Sequence, residues 1–143
     1  MDQGAYFEVK RHRMMTQTVQ NLTANLGFAA PRQMVEGGFE GEYRAAMEAA
    51  GHLYEQLTGE DPDLAAYGVP NGFNRRILMT MNLREAYHFC SLRSGPSAHF
   101  SVRRVAQRVA EEIFACHPAL AAFLQLPRDE TWQSITAENF VET

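Results

Sequence analysis

Apolar positions that recur every three or four residues predict the longest helices of this chain. The first such stretch covers residues 41–57, and Gly59 follows it as a stop. Its apolar face consists of Tyr43, Ala46, Met47, Ala50, Leu53, Tyr54 and Leu57. A short helix is expected next, from Asp61-Pro62 to Ala66, because aspartate caps free amides and proline suits a first turn.

Asn82 marks the start of another predicted helix, which ends at Arg93. Its side chain can cap the free amides, and Glu85 three positions later completes an asparagine form of the capping box. One stripe of this helix carries Arg84, His88 and Leu92. The side expected to face the core carries Leu83, Tyr87 and Cys90.

Ser97 is the predicted cap of a long helix that runs to about Cys116. Its buried face is expected to comprise Ala98, Val102, Val105, Val109 and Ile113. A shorter helix begins at Pro118. The apolar side chains near the end of the chain predict a C-terminus that packs onto the protein; they are Trp132, Ile135 and Phe140.

Two short extended runs, residues 5–10 and 75–81, complete the pattern as predicted strands. Residues 16–28 are polar with scattered apolar positions and favour no single element. The expected fold class is therefore α+β, a helix-rich single domain with a small sheet.

Length and composition suit one globular domain over residues 1–143, because 45% of the residues are hydrophobic and 21% are charged. No apolar stretch is long enough to cross a bilayer, and the N-terminus lacks the basic-then-apolar order of a secretory signal. A cytoplasmic protein without membrane partners is expected. The net charge of −4 argues against a nucleic-acid polymer as partner.

The two cysteines, Cys90 and Cys116, lie in predicted helices and are expected to be reduced thiols that pack in the interior. Together with His88 and His99 they could be imagined as zinc ligands. Their spacing fits no common structural zinc pattern, so no metal is expected.

Arginine dominates the basic residues, since Lys10 is the only lysine beside twelve arginines. Arg11-His12-Arg13 closes the apolar run of residues 5–10, where a strand should give way to a loop. A guanidinium offers a planar fork of donors that matches phosphate oxygens, so this tripeptide suits a nucleotide-like anion. A solvated surface turn is the alternative for the tripeptide alone.

A second stretch follows this tripeptide and makes the chain resemble the flavin-dependent thymidylate synthases, which have both motifs in this order and at this spacing. This stretch reads Asn82-Leu83-Arg84, His88-Phe89, Leu92-Arg93, Ala98-His99-Phe100 and Val102-Arg103. The resemblance covers roughly residues 5 to 125. The segment that precedes the Arg-His-Arg motif in these enzymes is absent from the sequence.

The resemblance implies a homotetramer that binds FAD at subunit junctions. It implies reduction of the flavin by NADPH and transfer of a methylene carbon from methylenetetrahydrofolate to dUMP, giving dTMP. The implied FAD contacts are Arg11, His12, Arg13, Asn82, Arg84 and His88. The implied nucleotide contacts are Arg93 and Arg103. No side-chain nucleophile is required, because the flavin supplies the redox chemistry, and no catalytic side chain is assigned.

The departures from the family pattern fall mostly on the dUMP side. After Arg-His-Arg the family has a glutamate, a serine and an arginine for the nucleotide; the corresponding stretch here holds Thr18, Val19, Asn21 and Thr23. Ala66 stands where the family has a phosphate-binding arginine, and His99 and Ser101 replace a glutamine and a glutamate.

Three hypotheses therefore stay open. The chain is a flavin-dependent thymidylate synthase, or the C-terminal part of a longer one. Alternatively, it is a non-catalytic flavin-binding or oligomer-supporting domain, such as one half of a duplicated synthase. The third hypothesis is a related flavoenzyme that acts on another nucleotide.

Overall fold

The computed structural model describes residues 1–127 and 129–141. The elements follow one another as α1 (Gln3–Val9), β1 (Met15–Val19), β2 (Ala30–Pro31), α2 (Arg32–Glu36), α3 (Glu40–Thr58), α4 (Pro62–Ala66), β3 (Ile77–Met81), α5 (Leu83–Arg93), α6 (Phe100–Cys116), α7 (Pro118–Ala121), α8 (Trp132–Asn139) and β4 (Phe140–Val141). Strand β1 pairs with β3, and β2 pairs antiparallel with β4. The predicted helix-rich fold with little sheet is confirmed.

The predicted strand over residues 5–10 is wrong, because this stretch belongs to helix α1. Ala5 and Val9 are both fully buried and lie four residues apart, on one face of the helix. An apolar run this short fits a strand or a helix equally well, and its burial decides the matter. The strand predicted over residues 75–81 is confirmed from Ile77 onwards.

The chain divides into two compact units. The first contains residues 1–4, 19–77 and 139 onwards, and the second contains residues 5–18 and 78–138. The core of the first unit comprises Met47, Tyr54, Ala65, Val69 and Phe73. Helix α3 supplies two of these side chains; it extends one residue beyond the predicted bounds at each end, and Gly59 is its C-cap as expected. Its buried face is narrower than predicted, because Ala46 and Leu53 are exposed.

Gly72 lets the chain pass close to α3 in this first unit. A Cβ atom at position 72 would lie 2.6 Å from the Tyr43 hydroxyl and 2.9 Å from the Met47 methyl. The short helix α4 begins as predicted, because the Asp61 side chain accepts hydrogen bonds from the amides of Asp63 and Leu64.

The core of the second unit is built mainly by α5 and α6. The α5 residues Ala86, Phe89 and Cys90 are buried, whereas Leu83, predicted to face the core, is 38% exposed. On α6 the fully buried positions are Ser101, Val102, Ala106 and Ala110. Three other residues of the predicted buried face are only half-buried: Val105, Val109 and Ile113. Small side chains let a helix pack closely against its neighbours, and on α6 the alanines are buried more completely than the valines beside them.

Other predictions for this unit need smaller corrections. His99, and not Ser97, is the N-cap of α6, since its Nδ1 accepts from the Ser101 amide at 3.3 Å. Cys90 is buried, and that burial raises the pKa of its thiol to about 12. Cys116 is exposed at the end of α6, so the prediction that it packs in the interior is wrong.

The C-terminal segment packs onto the protein as predicted. Ile135 is fully buried, and Phe140 is buried and lies opposite Pro31 in the β2–β4 pair. None of the helices in the described ranges has both the length and the apolar character that a bilayer crossing needs.

Candidate functional site

The Arg11-His12-Arg13 turn connects α1 to β1 in the second unit. The Gln17 side-chain amide holds the turn in place by donating to the carbonyls of Val9, at 3.2 Å, and His12, at 3.1 Å. His12 is only 5% exposed, whereas Arg11 and Arg13 on either side are exposed. The turn thus directs its imidazole inward and its two guanidiniums outward.

Both ring nitrogens of His12 have partners on α5. Nδ1 lies 2.7 Å from Glu85 Oε1, and Nε2 lies 3.0 Å from Arg93 Nε. The Arg93 nitrogen can only donate and an ionised carboxylate can only accept. The imidazole is therefore neutral and carries its proton on Nδ1. Burial lowers the pKa of His12; the hydrogen bond to Glu85 opposes this effect, and the charge of Arg93 adds to it.

Arg93 extends this arrangement to α1. Its Nη1 donates to Glu8 Oε2 at 2.7 Å and its Nη2 donates to the Glu8 carbonyl at 3.2 Å. The other Glu8 carboxylate oxygen accepts from the His99 amide at 3.1 Å. We call this chain of Glu8, Arg93, His12 and Glu85 the buried network. It joins α1, the turn, both ends of α5 and the start of α6.

Asn82 is the predicted N-cap of α5, and its Oδ1 accepts from the Glu85 amide at 2.9 Å. The capping-box prediction fails in its other half, because the Glu85 carboxylate is directed to His12. Pairing with a buried imidazole satisfies the carboxylate better than a return bond at an exposed helix end. Asn82 also lines a surface groove of about 570 Å³ together with Arg13, Thr16 and Thr80.

Three arginines at this site have side chains without a hydrogen bond or an ion pair to any residue that the structure describes: Arg11, Arg13 and Arg84. Arg84 precedes Glu85, and Arg11 and Arg13 flank its partner His12, so the turn and the start of α5 lie side by side. His88 is exposed on the next turn of α5, with its ring centroid 5.6 Å from that of His12. The two distant segments that the sequence singled out therefore converge.

Arg103 has a different environment. Its guanidinium pairs with the carboxylate of Glu130, and the side chains are 15% and 25% exposed. Both arginines expected to hold a nucleotide, Arg93 and Arg103, thus have a carboxylate partner within the chain.

The sequence analysis did not predict the three carboxylates that pair with His12, Arg93 and Arg103. They are Glu85, Glu8 and Glu130, respectively. One signal for Glu85 was available, because it lies four residues before Phe89 and beside Ala86, on the apolar face of α5. A carboxylate on a buried face needs a partner. Of the departures noted above, Thr23 is buried and its hydroxyl accepts from the Asn25 amide at 3.0 Å, within its own loop.

Comparison with known proteins identifies the family of this chain. A family model described as thymidylate synthase complementing protein matches residues 1–119. A UPF0159 protein of Chlamydia muridarum is 40% identical over 124 residues, which are 87% of this chain and 23% of the relative. One from Thermoplasma acidophilum is 34% identical over 85% of this chain and 25% of its own length. The chain spans about a quarter of these relatives.

A flavin-dependent thymidylate synthase of Saccharolobus solfataricus is 40% identical over 78 residues, which are 54% of this chain and 30% of the relative. Among solved structures, the flavin-dependent thymidylate synthase ThyX of Helicobacter pylori, complexed with FAD and dUMP, superposes with a TM-score of 0.66. The identity is 21%, over 89% of this chain and 70% of that one, so this likeness shows a shared fold. The chain belongs to the thymidylate synthase complementing protein family and has the fold of ThyX.

Proposed function

We propose that this chain is the flavin-binding part of a thymidylate synthase that methylates dUMP to dTMP, using FAD, NADPH and methylenetetrahydrofolate. One observation carries the proposal. The exposed side chains of Arg11, Arg13 and Arg84 have no partner among the described residues, and they adjoin in sequence two members of the buried network, His12 and Glu85, which are in contact.

The chemistry of these residues fits FAD. A diphosphate offers several anionic oxygens, and guanidiniums without internal partners are available to bind them in the bidentate manner that arginine favours. The groove beside Arg13 and Asn82 offers about 570 Å³, with Met14, Met15 and Met81 in its wall next to the polar groups. Apolar surface with a few polar groups is the usual lining of a cofactor site.

Each proposed contact has a role that follows from its environment. Arg11, Arg13 and Arg84 bind phosphate oxygens, while Asn82 and the exposed His88 offer hydrogen bonds to the cofactor. His12 acts as a positioning residue, because both of its ring nitrogens are already bonded within the protein. FAD, when bound, supplies the hydride and redox chemistry; the chain binds it and orients it.

A second candidate function is a non-catalytic flavin-binding domain. Arg93 and Arg103, the proposed nucleotide contacts, would each have to exchange a carboxylate for a ligand oxygen. Relative length also favours this candidate. The match of 124 residues is 23% of the Chlamydia protein, and the match of 78 residues is 30% of the Saccharolobus synthase. The Chlamydia protein is therefore about twice as long as the Saccharolobus synthase. That length has room for a second copy of the domain.

Flavin content tests the binding role. Purified protein should be yellow, and the Arg11→Ala and Arg13→Ala variants should each bind FAD about tenfold or more weakly, since a charge-assisted hydrogen bond contributes roughly 1.5–3 kcal/mol. Arg44→Ala is the matched control, because Arg44 pairs with Glu40 on α3, outside the site. A colourless protein that takes up no FAD would refute the flavin-binding role.

Release of tritium from C5 of labelled dUMP separates the two candidates. With NADPH and methylenetetrahydrofolate present, release shows the synthase reaction. A yellow protein whose flavin is bleached by NADPH but which releases no tritium supports the non-catalytic domain, or a flavoenzyme acting on another nucleotide. Binding of dUMP against other nucleotides then distinguishes these last two.

A further inference from the structure

The Glu8 carboxylate lies between two groups that bind anions, both within the second unit. Its Oε2 accepts from the Arg93 guanidinium at 2.7 Å, and its Oε1 accepts from the backbone amide of His99 at 3.1 Å. His99 is the N-cap of α6, so this amide stands at the positive end of a long helix. A guanidinium and a helix N-terminus are typical partners of phosphates and carboxylates. The two groups thus form an anion site that a side chain of the same chain occupies.

Arg93 is engaged through its other nitrogens as well. Its Nε donates to His12 Nε2 at 3.0 Å, and its Nη2 donates to the Glu8 carbonyl at 3.2 Å. Each guanidinium nitrogen therefore already has an acceptor within the chain, and the Glu8 carboxylate balances the charge of Arg93. A phosphate at this place would meet a carboxylate of its own sign at the same two donors, and like charges in such proximity repel each other.

Solvent reaches this ion pair more readily than it reaches the other pair of the buried network. The side chains of Glu8 and Arg93 are 19% and 12% exposed, whereas those of His12 and Glu85 are 3% and 7% exposed. A dissolved anion can therefore approach the Glu8 end of the network, while the Glu85 end stays closed to it. The side chain at position 8 decides whether that anion finds two free donors or a carboxylate.

We propose that Glu8 determines the ligand specificity of this site, because its carboxylate takes the place of a ligand anion and excludes the phosphate of a nucleotide. The inference deepens the second candidate function, and it rests on the proposed position of Arg93 beside the nucleotide. With Glu8 in place, Arg93 supports the Arg11-His12-Arg13 turn. The nucleotide phosphate then has to be bound by another chain or by another part of a longer protein.

Calorimetric titration with dUMP and with deoxyuridine, which lacks the phosphate, tests this role in the intact chain. The wild type should bind dUMP no more tightly than deoxyuridine. Glu8→Gln keeps the length of the side chain and removes its charge. This variant should bind dUMP at least about tenfold more tightly than the wild type does, because the phosphate gains charge-assisted hydrogen bonds. The affinity for deoxyuridine should be the same in both proteins.

Glu112→Gln is the matched control, because it removes the same charge from an exposed ion pair on α6. It should leave the dUMP affinity at the wild-type value. Addition of Arg93→Gln to Glu8→Gln should abolish the gain in dUMP affinity. Sucrose in the buffer stabilises folded proteins by its exclusion from their surface, so it offsets the loss of the ion pair, and circular dichroism verifies the fold of each variant.

A wild type that binds dUMP at least about tenfold more tightly than deoxyuridine would overturn the inference without any variant. A folded Glu8→Gln variant with unchanged dUMP affinity would also overturn it, as would an equal gain in affinity for both ligands. The FAD content of the same samples is a separate readout. Protein that takes up no FAD refutes the flavin-binding role, whether or not Glu8→Gln gains affinity for dUMP.

Discussion

Glu8 and Glu85 determine the direction of the side chains in the Arg11-His12-Arg13 turn. Glu85 accepts a hydrogen bond from His12 Nδ1, and Glu8 holds Arg93 so that its Nε donates to the other ring nitrogen. With the imidazole held inside, the two flanking guanidiniums have to extend outward. At the scale of single residues, the site therefore depends on carboxylates that touch no ligand themselves.

Loss of the Glu8 charge should destabilise the fold. Glu8→Gln leaves the Arg93 guanidinium, whose side chain is only 12% exposed, without an anionic partner. We expect the free energy of unfolding in urea to fall by about 2–4 kcal/mol. The matched control is Glu112→Gln, whose i,i+4 partner Arg108 is exposed, and its effect should stay within about 0.5 kcal/mol. Equal losses in the two variants would contradict the structural role of Glu8.

The neutral state of His12 predicts how stability depends on pH. Its pKa in the folded protein lies below the ordinary value of 6.5. Below pH 6.5 the unfolded chain therefore binds a proton that the folded chain does not, and stability is lost as the pH falls from 6.5 towards the lowered pKa. His12→Asn keeps an N–H for Glu85 and cannot titrate.

We therefore expect the melting temperature of the wild type to fall more than that of His12→Asn between about pH 7 and about pH 5. Other groups titrate in both proteins, so the difference between the two curves isolates His12. If the melting temperatures of the two proteins changed equally with pH, His12 would not be the cause of the loss of stability.

At the scale of elements, helix ends follow local chemistry, and helix faces follow packing. Asp61 and Asn82 cap α4 and α5 as predicted, because a cap needs only a side-chain oxygen and the next few amides. The face of α6 was predicted one position away from its true contact line. Valine and alanine both fit an apolar stripe in the sequence, and only the packing of the folded chain shows that Ala106 and Ala110 are the buried positions.

Asn82 has two proposed roles, which one pair of variants separates. Asn82→Ala removes the cap and should cost about 1 kcal/mol of stability, measured by thermal unfolding. Asn82→Asp keeps the capping oxygen and should be nearly as stable as the wild type. Because the aspartate lacks the amide N–H, FAD content should nevertheless fall in Asn82→Asp. Unchanged FAD content in that variant would remove Asn82 from the cofactor contacts.

At the scale of the whole molecule, large apolar side chains remain exposed. Tyr67 is 90% exposed, Met14 is 72% exposed and Phe123 is 69% exposed. On α3, Ala46 and Leu53 are exposed on the same side, two turns apart. Only contiguous exposed apolar patches mark interaction sites in soluble proteins, whereas single exposed apolar side chains are common. The homotetramer that the family resemblance implies stays a prediction, and the exposed Leu53 on α3 offers a position at which to test it.

Light scattering on the purified chain tests this assembly. We expect a mass of four chains, and we expect Leu53→Glu to lower it, because the charge would be buried where α3 meets a neighbour. Leu64→Glu, on the exposed side of α4, is the control and should leave the mass unchanged. A wild-type chain that stays monomeric at high concentration would end the tetramer proposal.

Local signals were sufficient for the approximate bounds of α3 to α5, the end of α6 and two helix caps, because each depends on residues within about one or two turns of one another. The family resemblance needed two separate motifs, residues 11–13 and 82–103, but it used only their order and spacing along the chain. The buried network depends on folding, since Glu8 and Glu85 meet Arg93 and His12 across 85 and 73 positions of chain. The same holds for α1, where burial of Ala5 and Val9 overrode a strand-like pattern, and for Arg103, whose partner Glu130 comes from a separate segment. A contact between residues so far apart in the chain produces no periodic or local pattern in the sequence, because the packing of the elements that carry the two residues brings them together.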